Sequence, residues 1–116
     1  MISTSIEQNL VSVSVLGELT IADFKEFEAT ILYGVKFQGA VNLLVDLRDM
    51  LHFTVDVAWE ELKFTRDHKN DFRRVAIVTD DQWIQWSAWI NRALSSADIR
   101  VFDDFDDASI WLAEAQ

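Results

Sequence analysis

The chain has no cysteine, no proline and only three glycines among its 116 residues. Without cysteine there is no disulfide, no thiolate nucleophile and no cysteine-ligated metal. With so little proline and glycine there is no linker, repeat or low-complexity stretch to divide it. Long apolar runs are missing too. Nothing approaches the roughly 20 residues of a membrane-spanning helix. The opening MISTSIEQNL lacks the basic region and apolar run of a signal peptide. A cytoplasmic protein, at most peripherally associated with a membrane, is the expectation. Basic residues are scarce: 10 against 20 acidic ones, for a net charge of −10. That field repels nucleic acid and anionic lipid at long range, so a nucleic-acid partner is not expected.

What is present is apolar and regularly spaced. Half of the residues are hydrophobic, enough for a single domain over residues 1–116 with its own core. Ile2, Thr4 and Ile6 alternate with Ser3, Ser5 and Glu7, and Val11, Val13 and Val15 alternate with Ser12 and Ser14. Both stretches predict half-buried strands joined at Gln8-Asn9, with Gly17 ending the second. Thr20 and Asp23 form a capping-box pattern. Ile21, Phe24, Phe27, Ile31 and Val35 then follow at helical spacing, with Gly34 near the helix end. Further on, the chain predicts a strand over Val41–Leu47, a helix from Thr54 or Asp56 to about Lys69 and a strand over Arg74–Thr79. A helix from about Gln82 to Leu94, a short strand Ile99–Phe102 and a helix Asp104–Ala115 complete the series. The fold class is α/β. It has a mixed, mostly parallel five-stranded sheet with an N-terminal antiparallel hairpin and about four helices. Leu43, Val45, Val75 and Ile77 are the expected core of the parallel part. Serines on the first two strands and Asn42 in the third suggest helices mainly on one side, with part of the other face polar.

The segments LLVDLRD, WEELKF and DFRRVAIVTDDQWIQW, with a GELT-type turn into the first helix, resemble the SpoIIAA-like group of bacterial proteins. That group belongs with the STAS domains and is described alongside CRAL-TRIO lipid-binding domains. The resemblance covers nearly the whole chain and is most specific over residues 43 to 86. It implies a SpoIIAA-like (STAS-type) fold, and either binding of an apolar small molecule, membrane association or a signalling partner switch. In STAS anti-sigma-factor antagonists a phosphorylatable serine lies in a pattern like Asp-Ser-Ser-Gly, at the start of the helix after the third strand. The matching stretch here, Met50 to Asp56, has neither serine nor glycine. Thr54 is its only hydroxyl and reads as a helix cap. The resemblance therefore does not extend to a phosphorylation switch.

Five tryptophans are present, three of them at Trp83, Trp86 and Trp89. On a helical wheel Trp83, Trp86, Ile90 and Leu94 form one stripe, and Trp89 widens it to about 140°, beyond the roughly 100° that a sheet covers. The excess reads as ordinary core with scattered exposed aromatics, as a homodimer interface, or as the wall of an apolar pocket. Trp59 and Phe64 extend the same choice to the preceding helix. Lys63, Arg66 and Lys69, in a basic run that continues to Arg73 and Arg74, are candidates for an anionic headgroup, or simply favourable charges at a helix C-terminus. Asp46, Asp49, Asp80 and Asp81 fall at strand ends, where carboxylates can do acid–base work or bind cations. Asp80 also reads as a helix cap, and Arg48 can neutralise Asp46 or Asp49. No catalytic residue, metal site or cofactor is assigned, and no phosphate loop or nucleophile elbow is present. The leading expectation is a non-enzymatic module for a lipid-like ligand, with Trp59, Phe64, Trp83, Trp86, Trp89 and Ile90 as its surface. The alternative is a protein-interaction domain acting as a partner switch or a homo-oligomer.

Overall fold

The alternation at the amino end becomes an antiparallel hairpin. The computed structural model describes residues 1–53, 56, 60, 71–79 and 98–114. β1 (Ile2–Glu7) pairs with β2 (Leu10–Leu19), from Ile2 opposite Val15 to Glu7 opposite Leu10. Gln8, at φ 55, supplies the left-handed residue that a two-residue turn requires.

α1 (Ile21–Gln38) starts on the expected box. Thr20 Oγ1 accepts from the Asp23 N–H at 3.3 Å, and Asp23 Oδ2 accepts from the Thr20 N–H at 3.2 Å. The Met1 ammonium also donates to Asp23 Oδ2, at 2.8 Å. Gly39, at φ 77, ends the helix and donates its N–H to Val35 O. Gly34 lies about one turn before the end of the helix. A Cβ there would stand 3.2 Å from Val11 Cγ2. Its smallness lets α1 approach β2 closely.

β3 (Val41–Phe53) runs parallel to β2, β4 (Phe72–Val78) runs parallel to β3, and β5 (Asp98–Phe102) runs parallel to β4. The order across the sheet is β1-β2-β3-β4-β5. α2 (Phe105–Ala113) follows, capped by Asp104, whose carboxylate accepts from the Asp106 N–H at 3.2 Å. Two expectations need correction. Gly17 does not end β2; it sits inside it at φ 67. β3 does not stop at Leu47 but continues to Phe53 along the far end of β2. The polar residues of that continuation concealed it. The expected helices over 56–69 and 82–94 lie outside the described residues, apart from Asp56 and Glu60, both helical.

The sheet separates two apolar clusters. On one face Val11, Val13, Val15, Leu43, Leu47, Val75 and Ile77 pack with Phe24 and Ile31 of α1. Of the expected core, Leu43, Val75 and Ile77 are fully buried, while Val45 is half-buried against the cluster. On the other face Leu44, Ala76 and Val78 lie under Ala108, Trp111 and Leu112 of α2. Among the described residues each face thus carries one helix; the expectation of helices mainly on one side turns on the stretches 56–69 and 82–94, which lie outside them. The continuous apolar runs in β3 and β4 demand cover on both faces. Over β1 and β2 the second face stays polar, as expected, with Ser3 and Ser5 exposed and Ser12 and Ser14 half-buried. Asn42, fully buried, accepts at Oδ1 from the Arg74 N–H at 3.2 Å.

Candidate functional site

The parallel strands bring their carboxyl ends to one margin of the sheet, where the sequence gathers charge. Asp46 lies opposite Val78 at the end of the β3–β4 ladder and is 7% exposed. Arg48 occupies both of its oxygens. Nε donates to Oδ1 at 2.9 Å and Nη2 donates to Oδ2 at 2.8 Å. The Arg48 backbone N–H adds a bond to Oδ1 at 3.1 Å, the local turn that aspartate favours. Burial pulls the Asp46 carboxyl upward, but the hydrogen bonds and charge of Arg48 outweigh it and hold the group below its ordinary value. Arg48 is raised in turn, first by its bond to Asp46, with the charges of Asp46, Asp49 and Asp104 outweighing its slight desolvation. Its guanidinium lies 5.6 Å from the centre of the Phe105 ring.

An ionised carboxylate with both oxygens engaged is a poor proton carrier and a poor ligand. The forked pair with Arg48 is a positioning device. Among the described residues, no group of three or more histidine, aspartate or glutamate side chains is placed to hold a metal ion. Asp80 and Asp81 lie outside the described residues.

Beyond Asp46, β3 continues alongside β2 through two register shifts. Ser14 pairs with Asp46 and Leu16 with Asp49; Gly17 pairs with Met50 and Glu18 with His52. Each shift leaves an extra residue on β3. Such bulges bend a strand and re-aim its side chains. At the second shift Met50 stays buried, while Leu51 is 74% exposed. Leu16, opposite Asp49, is 39% exposed. His52 Nε2 and Glu18 Oε2 lie 2.8 Å apart beside them, both largely open to solvent. The result is an apolar protrusion with a polar border. Leu51 carried no periodic signal, and sequence reasoning missed it. Gly17 inside a valine-rich strand was the clue available, since an isolated strand glycine often marks a bulge.

The nine residues expected to form a ligand surface, Trp59, Lys63, Phe64, Arg66, Lys69, Trp83, Trp86, Trp89 and Ile90, all lie outside the described residues, as does Thr54. The basic run can be judged only at its end. Arg74 is engaged: its guanidinium lies 4.8 Å from the Trp111 ring centre, and Nη1 donates to Trp111 O at 2.8 Å. Arg100 approaches the same ring at 5.3 Å. A separate groove of about 430 Å³ runs between β1 and α1, lined by Thr4, Ile6, Glu26, Ala29, Thr30 and Tyr33 among others. No helix among the described residues is long and apolar enough to cross a membrane.

The pattern that defines the SpoIIAA-like family matches residues 10–113. In structure the chain is similar to an uncharacterised protein of the DUF3478 family with a SpoIIAA-like fold, from Shewanella loihica PV-4. The identity is 22% and the TM-score 0.76, over 97% of this chain and 92% of that one. It is also similar to the anti-sigma factor antagonist SpoIIAA in its unphosphorylated form, at 12% identity and a TM-score of 0.65 over the whole of both chains. An anti-sigma factor antagonist from Mycobacterium paratuberculosis aligns at 16% identity and a TM-score of 0.62, covering 97% of this chain and 95% of that one. At these identities the likeness is one of fold. No curated protein sequence matches the chain.

Proposed function

The chain belongs to the SpoIIAA-like family, and from that premise we propose that it is a non-enzymatic protein-interaction domain that docks a signalling partner. The docking surface is the far end of β2 and β3. The observation that carries this reading is Leu51, a large apolar side chain left 74% exposed by a bulge. Interfaces are built this way, with an apolar anchor inside a polar border. Here Leu16 extends the anchor, and Arg48, His52 and Glu18 supply the border. The two anti-sigma factor antagonists that share the fold favour a role of the same class. The Met50 to Phe53 stretch carries no hydroxyl, so the docking proposed here is not gated by phosphorylation there. The lipid-like ligand suggested by Trp83, Trp86 and Trp89 gains no support from these neighbours and takes second place.

The test compares the wild-type chain with Leu51→Glu, each immobilised in full length and exposed to extract of its own host under cross-linking. A specific protein retained by the wild type and depleted at least 10-fold by Leu51→Glu, with the melting curve unchanged, is the expected result. Equal retention by both forms, or no retained protein, overturns this surface. A lipid-like molecule seen by native mass spectrometry of the purified chain would restore the second reading.

A further inference from the structure

We propose that the outer edge of β1 is a homodimer interface, in which two copies pair antiparallel about a twofold axis at Thr4. β1 ends the sheet, and among the described residues no other strand pairs with its outer side. Natural edge strands are blunted with lysine, proline, bulges or inward-pointing charge. The stretch Ile2-Ser3-Thr4-Ser5-Ile6 has none of these devices and pairs with β2 without a register shift. Its composition fits one partner above others, because it reads the same in both directions. Antiparallel pairing about Thr4 sets Thr4 opposite Thr4, Ser3 opposite Ser5, and Ile2 opposite Ile6.

The hydrogen-bonding phase agrees with that register. The Leu16 N–H donates to Met1 O at 2.8 Å. Bonding groups alternate along an antiparallel strand. Met1, Ser3, Ser5 and Glu7 therefore direct their backbone groups toward β2, whereas Ile2, Thr4 and Ile6 direct theirs outward. In the dimer Thr4 meets Thr4, and Ile2 meets Ile6, as hydrogen-bonded pairs that exchange both N–H···O contacts. The two sheets become one, and both α1 helices fall on the same face of it. The groove between β1 and α1 then adjoins its symmetry mate. Ile6 and Tyr33, which line it, are 37% and 60% exposed in the single chain. The interface is isologous, as a twofold dimer demands. It is separate from the Leu51 surface and does not rest on it.

Light scattering over a concentration series gives the first reading, with the dimer at twice the 13.4 kDa chain mass. Thr4→Pro removes an outward N–H and leaves the β1–β2 ladder intact, since edge positions tolerate proline on the solvent side. It should weaken dimerisation at least 10-fold. Cysteine placement checks the register independently of folding losses, because the chain has no cysteine of its own. Hydrogen-bonded partners lie about 5.5 Å apart at Cα, within disulfide reach. Thr4→Cys should therefore give a covalent dimer with oxidised glutathione. Ile6→Cys places its thiols about four residues apart, roughly 13 Å, and should not. A wild-type chain that remains monomeric at the highest concentration, or a dimer that Thr4→Pro leaves intact and Thr4→Cys fails to cross-link, overturns the proposal.

Discussion

The two faces of the sheet carry different kinds of core. Under α1 the core is apolar and continuous from β2 to β4, with Val11, Leu43, Leu47, Ile77 and Ile31 in one cluster. Among the described residues the apolar patch under α2 is smaller, and its margin is polar. Asn42 bonds the Arg74 backbone, Asp46 grips Arg48, and Arg74 and Arg100 bracket Trp111. The first face is held by area removed from water, which is non-directional. The second adds, among the described residues, contacts of fixed geometry. The difference shows how one sheet divides its labour: one side supplies stability, and the other fixes where the last helix sits.

The comparison is broken most severely at Ile77, which is fully buried on the α1 side. Ile77→Asp puts an unpaired charge in that core, at a cost of several kcal/mol, roughly, and circular dichroism should show an unfolded chain at room temperature. Val45→Asp, at a half-buried site, should be milder; equal severity would mean the first face is less graded than described. On the second face, Trp111→Ala removes the ring that two guanidinium groups share. Chemical denaturation should register a loss of about 3 kcal/mol, and Trp111→Phe should recover part of it.

Asp46 sharpens the contrast through pH. Its folded-state pKa lies below the ordinary 3.8. Its ionised form is thus favoured by folding, so the stabilisation is complete above the ordinary value and disappears as pH falls through the lowered one. Asp46→Asn should cost about 1–2 kcal/mol at neutral pH. The gap between the two proteins should close in strongly acidic buffer, and a gap unaffected by acid would deny the ion pair its role. The smallest effect belongs to Thr20→Ala at the start of α1, about 1 kcal/mol, read as a few degrees in melting temperature. A null result there would make the apolar face the sole support of that helix.

The sheet was legible where chemistry follows period. Alternating valine and serine announced β2, the Thr20–Asp23 spacing announced the cap of α1, and the apolar runs announced β3 and β4. The second apolar face was present in the same runs, because Leu44, Ala76 and Val78 have no reason to be apolar unless something covers them. What stayed hidden depends on pairing. The continuation of β3 past Leu47 reads as Arg-Asp-Met-Leu-His-Phe, with no alternation, because two register shifts disturb its phase. The engagement of Asp46 by Arg48 was within reach, two residues apart. The partnership of Arg74 with Trp111 spans 37 positions and needed the fold.

Leu51 has one more consequence, which concerns length rather than chemistry. The residue is the surplus unit that lets Glu18 meet His52 after Gly17 has met Met50. Its side chain faces solvent, so the fold should accept almost any amino acid there. Removing the position would take out only the surplus residue: Gly17 would still meet Met50 and Glu18 would still meet His52, with no bulge between them. The fold is thus indifferent to identity at this site and keeps the same strand partners without it. Selection acting on the side chain at 51 would have to come from whatever touches it.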